Sequence, residues 1–368
     1  MLRINDRYMI CFIPMLLITL FLFGCSSLGT SETQEADEEL ESFVQIDQSK
    51  QTVQKIVGWL NETDILVHLG DQEEQELIRL NIHTGEERNI YTTNQHILTV
   101  EINNALDKIL IQEGSDSIVE LFTMTTEGEE IYRIDLGYSG YISVDWNAVD
   151  DNLVFLSHYQ YDQETSLESS KVMIWNLETN ELADFHVNAI EPSWYSAHLY
   201  LYVNEVDGYL YIGDTRSTEG DQMINNKTID YHLYQDTFIS MEASDINDQQ
   251  VHLMKDHPFL VHQGALTIPK VTRGEIPVKP FISQSVRNGD VLGVIATEAI
   301  DLNLTLGDFN LSLLDFENNE YEKLLELPDN APIALSPNEQ YVLYGWQFEN
   351  IIELDGTEEL ISLISDPS

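Results

Sequence analysis

Apolar residues in this chain come in short runs separated by tight polar turns. Residues Val57 to Ile90 set the grammar: Val57-Gly58-Trp59, then Asp64-Ile65-Leu66-Val67, then Leu77 to His83, a Thr84-Gly85-Glu86 turn, and Asn89-Ile90. The pattern predicts four short strands, because runs of this length bounded by turn residues suit strands rather than helices. The turn has counterparts at Glu127-Gly128-Glu129, Thr179-Asn180-Glu181, Glu219-Gly220-Asp221, Arg273-Gly274-Glu275, Asn318-Asn319-Glu320 and Asp355-Gly356-Thr357. Each puts Gly or Asn where a tight hairpin needs positive φ. From Gly85 to Gly356, six steps cover 271 residues, about 45 each, the period of a four-stranded propeller blade.

An apolar strand precedes each turn: Leu77–Ile82, Val119–Met124, Val172–Leu177, Tyr209–Gly213, Ala265–Ile268, Leu311–Phe316 and Ile351–Leu354. A second run lies upstream of each: Ile65–Leu69, Lys108–Ile111, Leu153–Leu156, Leu199–Val203, Val251–Met254, Val291–Ile295 and Tyr341–Gly345. The upstream runs are nearly continuous rather than alternating, as strands covered on both faces should be. Trp59, Trp146 and Trp194 mark equivalent positions ahead of that run, with Ala334 to Pro337 in the same slot of the last unit. They are expected to pack between blades. The fold class expected is all-β: a β-propeller of four-stranded blades, seven by repeat count. The fifth unit, near Tyr231 to Gly274, is the weakest, and segments 213–226 and 296–307 read as long loops. Either Phe43 to Ile46 or Leu360 to Ile364 is expected to complete the last blade.

The N-terminus has a different logic. Arg3 and Arg7 precede an apolar stretch from Met9 to Phe23, shorter than the roughly 20 residues that span a bilayer. It ends in Leu22-Phe23-Gly24-Cys25, which resembles a bacterial lipobox. That resemblance implies cleavage after Gly24 and a thioether-linked lipid on Cys25. The expected division is a signal peptide over 1–24, a lipidated Cys25 and disordered acidic tether over 25–42, and one propeller domain over 43–368. The tether sequence SSLGTSETQEADEELES has too little apolar surface to offset its ordering entropy. The expected location is the extracytoplasmic face of the cell membrane, held by the lipid anchor.

A lipobox, an acidic tether and repeats of the Gly-Trp, Ile-Leu-Val and Leu-x-x-x-Asn-x-x-Thr-Gly-Glu type are together similar to YqgU-like lipoproteins of Gram-positive bacilli, whose repeats are of the TolB/WD40-like kind. The resemblance runs over the whole chain. It implies a six-bladed propeller, one blade fewer than the repeat count, and a Gram-positive surface. It brings no catalytic residue to these positions.

Charge narrows the partners. The chain has 64 acidic residues against 17 basic ones, a net charge of −47. A phosphate backbone is repelled, so nucleic acid is not an expected partner. Cations and basic proteins are favoured. The chain's two cysteines, Cys11 and Cys25, lie outside the repeats, so the propeller has no disulfide framework or thiolate metal site.

Candidate chemistry is sparse. No phosphate-binding loop, His-Glu-x-x-His or Gly-x-Ser-x-Gly motif is present. His252, His257 and His262, with Asp256, form the densest imidazole cluster. A hairpin at Asp256–Pro258 would put His252 and His262 at equal distances on either side, as candidate metal ligands. Asp145, Asp150 and Asp151, and separately Asp245 and Asp248, are candidate calcium carboxylates without EF-hand grammar. No cofactor is expected. The leading expectation is a binding or scaffold module with a protein or small-molecule partner at the cell envelope. The competing expectation is a metal-dependent hydrolase or lyase acting on envelope polysaccharide.

Overall fold

The computed structural model describes residues 43–49, 51–115, 118–136, 141–162, 167–189, 191–235, 237–257, 260–354 and 359–365. The lipobox, Cys25, the tether and the Asp355-Gly356-Thr357 turn lie outside them.

Among the described residues there are seven four-stranded antiparallel sheets, each made of consecutive strands or nearly so. The first is Val53–Trp59, Asp64–Gly70, Gln75–Asn81 and Glu87–Thr93. The second is His96–Ile102, Lys108–Ser115, Ile118–Thr125 and Glu130–Asp135. The third is Ser143–Trp146, Leu153–Asp162, Leu167–Asn176 and Glu181–Phe185. The fourth has the shortest inner strand: Ser193–Trp194, Leu199–Val203, Leu210–Asp214 and Gln222–Asn225. The fifth is Thr228–Tyr234, Thr237–Ala243, Gln250–Asp256 and His262–Pro269. The sixth is Ile282–Gln284, Val291–Ala296, Phe309–Asp315 and Glu320–Leu327. The seventh is Ile333–Leu335, Tyr341–Tyr344, Asn350–Glu353 and Leu360–Ser362.

Seven hydrophobic clusters lie between successive sheets. Leu66 and Phe122 join the first and second, Leu110 and Trp175 the second and third, and Phe155 and Trp194 the third and fourth. Leu201 and Phe238 join the fourth and fifth, Leu253 and Ile295 the fifth and sixth, and Phe309 and Val342 the sixth and seventh. The last cluster packs Ile56 and Val67 of the first sheet on Leu343 and Ile351 of the seventh. The cores therefore run round from the last sheet back to the first, and each sheet buries both faces. This is why second strands such as Val291–Ala296 are buried along their whole length. At the joint, the Trp59 indole donates to the Ala334 carbonyl at 2.9 Å, and the Ile56 amide donates to the Gln347 carbonyl at 2.9 Å.

The tryptophans behave as expected. Trp59 stacks on Tyr341 and Trp194 on Phe155, with ring centres 6.4 and 4.0 Å apart. Of the two stretches expected to complete the last blade, the C-terminal one does so, and the N-terminal one forms a separate two-stranded sheet. Leu360–Ser362 completes the seventh sheet, while Ile46–Asp47 runs parallel to Ile364–Ser365 beside it.

Three expectations need correction. In the fifth unit the reading is one strand out of phase: Val251 to Met254 lies in the third strand, not the second, and Ala265 to Ile268 in the fourth. The Arg273-Gly274-Glu275 turn belongs to an inserted hairpin, Val271–Arg273 with Ile276–Val278, which pairs in parallel with Ile300–Asp301. The insertion supplied a hairpin glycine, with Gly274 at φ +67°, that the period alone could not tell from a blade turn. Segment 213–226 is not only loop, because Gln222–Asn225 is the fourth sheet's outer strand. Asp221 precedes that strand and accepts hydrogen bonds from both Tyr200 and Tyr202, each at 2.8 Å.

Candidate functional site

The first strand of every sheet faces the axis of the ring. Residues of the first strands of the second to fifth sheets line a solvent-open cavity of about 640 Å³. First strands of the first, second, fifth, sixth and seventh sheets line a second cavity of about 290 Å³. Glu101 lines both.

The fourth sheet explains the size of the larger cavity. Its inner strand, Ser193–Trp194, is two residues long, so less backbone fills the axis there. Next to it in the ring is the complete inner strand Thr228–Tyr234. Glu101 sits between Val100 and Ile102, Asp145 between Val144 and Trp146, and Asp230, Tyr231 and His232 follow one another. Four carboxylates therefore line the cavity from inner strands or the turns beside them: Glu101, Asp145, Glu191 and Asp230. Glu205 lines it too, with its Oε1 accepting from the Ser170 hydroxyl at 3.0 Å. Lys279 is committed elsewhere. Its ammonium donates to Asp230 Oδ1 at 2.9 Å and to the Tyr231 carbonyl at 2.8 Å.

Burial and like charge shift the titration of this wall. Burial lifts the Asp145 carboxyl to about 7; the Trp194 amide, donating to Oδ2 at 2.8 Å, opposes the rise and the charge of Glu191 adds to it. Burial also raises Glu101, with Lys55 pulling the other way. His232 is driven down to about 4, first by burial and then by the Lys279 charge, so it is neutral at pH 7. Tyr231 is raised by burial, with its hydroxyl donating to the Ser193 hydroxyl or the Leu201 carbonyl, each at 3.2 Å. Displaced titrations in a polar concavity are what binding and catalytic sites have in common.

The structure does not bring the three candidate histidines together. His262 pairs across the ladder with Asp256, and its Nδ1 lies 3.0 Å from Asp256 Oδ1. His252 pairs with Thr267, at 3.0 Å from its hydroxyl, and His257 Nδ1 lies 3.3 Å from the Thr237 hydroxyl. The expected arrangement, with His252 and His262 facing each other, fails because the hairpin turns between Asp256 and His262 rather than at Asp256–Pro258. The acidic candidates also diverge. Asp151 is ion-paired with Lys108, Asp150 caps its own turn at Asn152, Asp145 looks onto the ring cavity and Asp245 lies 3.5 Å from the Lys227 ammonium. Among the described residues, no three His, Cys, Asp or Glu side chains are grouped to hold one metal ion.

The sequence marks Asp145 as a calcium candidate and Trp146 and Trp194 as packing residues, but carries no motif at Glu101, Glu191, Tyr231, His232 or Lys279. The available signal was an acid inside an otherwise apolar inner strand, as in Val100-Glu101-Ile102 and Val144-Asp145-Trp146.

The family model described as a YqgU-like 6-bladed beta propeller domain matches residues 81–345. The match begins at the last residue of the first sheet's third strand and ends just after the seventh sheet's second strand. The family description counts six blades, whereas the described residues hold seven four-stranded sheets. The uncharacterized lipoprotein YqgU of Bacillus subtilis (strain 168) is 26% identical over 363 residues, 95% of each chain. Among solved structures, the uncharacterized protein lmo1340 of Listeria monocytogenes EGD-e superposes with a TM-score of 0.77 at 20% identity, over 88% of this chain and 98% of that one. An oligogalacturonate lyase of Vibrio parahaemolyticus superposes at 0.56 and 14% identity, over 79% and 87%. At these identities the structural likenesses carry the fold alone.

Proposed function

The chain belongs to the YqgU-like β-propeller family, and from that premise we propose that it is a lipid-anchored binding module on the extracytoplasmic face of the membrane, with its ligand site in the ring cavity. The observation that carries the reading is the cavity itself: about 640 Å³ between inner strands, lined by the carboxylates of Glu101, Asp145, Glu191 and Asp230. Apolar cores already close the ring, and desolvation of the Glu101 and Asp145 carboxyls at its axis costs stability. Such costs persist where a site uses them.

The anchor is Cys25. One diacylglyceryl group plus an acylated amine holds a chain firmly, at about 0.8 kcal/mol per buried CH₂. The residues up to 42 then act as a tether that lifts the ring from the surface. Likeness to a lipoprotein over 95% of the chain supports this part of the reading. Replacing Cys25 by Ala is expected to move the protein from the membrane fraction to the medium or to uncleaved precursor; unchanged retention contradicts the anchor.

The cavity is tested by plugging it. Ala148 lines its wall, and Ala148→Trp fills part of the space. In a thermal-shift screen of small ligands, compounds that raise the midpoint of the full chain are expected to leave Ala148→Trp unmoved. Equal shifts in both place the ligand site elsewhere.

A further inference from the structure

We propose that the ring docks a partner protein over its sixth and seventh sheets, through a segment of that protein in which aliphatic side chains are flanked by Lys or Arg. The surface is made by the inserted hairpin, the loop that follows Asp301, and Trp346. None of its apolar residues lines the ring cavity, so it stands independently of the ligand site.

The insert is a three-stranded sheet of Ile276–Val278, Val271–Arg273 and Ile300–Asp301. Its inner side is in use: Val278, Ile300 and Leu302 pack on the core between the sixth and seventh sheets. The apolar run continues past that core. Ile276 is 72% exposed, Leu304 84% and Leu306 75%. Phe281 packs on the same core, and its ring lies edge-on to Trp346 with centres 5.6 Å apart. Trp346 is 55% exposed, although its indole N–H is held by Asp329 Oδ2 at 3.1 Å. The loop is fixed too. The Leu304 amide donates to the Asp301 carbonyl at 2.9 Å, and Gly307, at φ +75°, lies against Ile300 where a Cβ would clash. A single exposed aliphatic is ordinary. Three from two segments, beside a fixed and exposed indole, are what a docking surface presents.

Charge selects the occupant. Glu275, Glu298, Asp301, Asp308 and Asp329 stand in or beside these segments, against Lys270 and Arg273, in a chain of net charge −47. Lys279 is paired with Asp230. A second copy of this chain and an anionic bilayer are both repelled, whereas a basic segment is drawn in. The course of the chain also argues against the bilayer. In a four-stranded antiparallel sheet the first and third turns lie on one face of the ring; the middle turn and the link to the next sheet lie on the other. The described chain begins on the first of these faces, where the Val44 amide donates to the Ile82 carbonyl at 2.8 Å and Val44 lies against Gly85 in the third turn of the first sheet. The insert is the link between the fifth and sixth sheets, Leu304 and Leu306 lie in the middle turn of the sixth, and Trp346 in that of the seventh. All three are on the opposite face, away from the side at which the chain leaves for the proposed anchor.

Trp59, Trp146, Trp175 and Trp194 are buried, so among the chain's five tryptophans Trp346 is the exposed reporter. The test titrates the full chain, in non-ionic detergent with a detergent-only blank, with a short peptide of alternating Leu and Lys, followed by fluorescence and calorimetry. The controls are its Ser/Lys and Leu/Glu counterparts. The Leu/Lys peptide is expected to bind and to shift the Trp346 emission. Binding is expected to be about tenfold weaker in the triple variant Ile276→Ser, Leu304→Ser and Leu306→Ser, whose urea midpoint checks the fold; should that midpoint fall, Leu304→Arg alone, at a largely exposed position, is expected to weaken binding in its place. The two control peptides are expected not to bind. Equal binding of the Ser/Lys peptide, or of the Leu/Lys peptide to the substituted chains, overturns the proposal in favour of unspecific charge attraction. Equal binding of the Leu/Glu peptide overturns the basic partner, and binding by none of the three overturns the surface. Two further outcomes overturn it by naming another occupant. One is quenching of Trp346 by brominated acyl chains when the full chain is reconstituted in vesicles, which names the bilayer. The other is a doubling of mass in light scattering that the triple variant loses, which names a second copy.

Discussion

Asp145→Asn is expected to stabilise the protein at pH 8 and to do nothing at pH 4. The carboxyl titrates near 7 in the folded chain against an ordinary value of 3.8. Between those values the folded chain holds a proton that the unfolded chain has lost. Stability from this residue is therefore present at low pH and is lost as pH rises through 7. At 1.36 kcal/mol for each tenfold in proton affinity, the full penalty above pH 7 is about 4 kcal/mol. Water entering the cavity screens part of it, so about 2 kcal/mol is the expected gain. Asparagine keeps an oxygen to accept from the Trp194 amide, which donates to Asp145 at 2.8 Å, so the substitution removes charge and little else. Urea unfolding of both chains at pH 4, 6 and 8 measures the difference. A variant that is equally stable or less stable at pH 8 refutes the buried, penalised carboxylate. A gain of the same size at all three pH values refutes titration as its cause.

Other substitutions probe other parts of the account. His232 is held neutral down to about 4 against an ordinary 6.5, so the unfolded chain takes up the proton first and stability falls between those values; His232→Gln is expected to flatten that fall by about 1–2 kcal/mol in acid unfolding. Trp59→Ala removes a buried ring and the hydrogen bond between the first and seventh sheets, at an expected cost of about 3–5 kcal/mol in the same urea assay; a loss below 1 kcal/mol shows that the joint does not hold the ring. Gly128 has φ +94° and a Cβ there would lie 2.7 Å from the Ile90 carbonyl, whereas Gly208, at φ +72°, has nothing within 4 Å. Gly128→Ala is therefore expected to cost about 2–3 kcal/mol and Gly208→Ala about 1; equal midpoints contradict the close approach of the first two sheets.

Much of the architecture was legible because it is local. Hairpin glycines and asparagines need positive φ, and Gly85, Gly128, Asn180 and Asn319 adopt it. Second strands buried on both faces show as unbroken apolar runs. The inserted hairpin at Val271–Val278 misled the reading because its turn has the same chemistry as a blade turn. Its partner, Ile300–Asp301, lies far along the chain and pairs in parallel, which no local pattern reveals. The site was harder to read. Asp145 comes from the third sheet, Glu191 from the connection into the fourth and Tyr231 from the fifth, and only ring closure sets them on one cavity. The two-residue inner strand that widens the cavity also left little signal, since Ser193-Trp194 reads as an ordinary blade start. The histidine cluster shows the opposite error: His252, His257 and His262 are close in sequence, yet strand alternation and the hairpin position assign each a different neighbour.

The central claim is that the ring's axis is the functional site. Hydrogen–deuterium exchange of the full chain, with and without a saturating compound that raises its midpoint in the thermal-shift screen, tests it most directly. The account predicts slower exchange in Ser143–Trp146, Ser193–Trp194 and Thr228–Tyr234, with the outer strands Glu87–Thr93 and Glu320–Leu327 unchanged. Protection confined to outer strands, or to the hairpin at Val271–Val278, would contradict it.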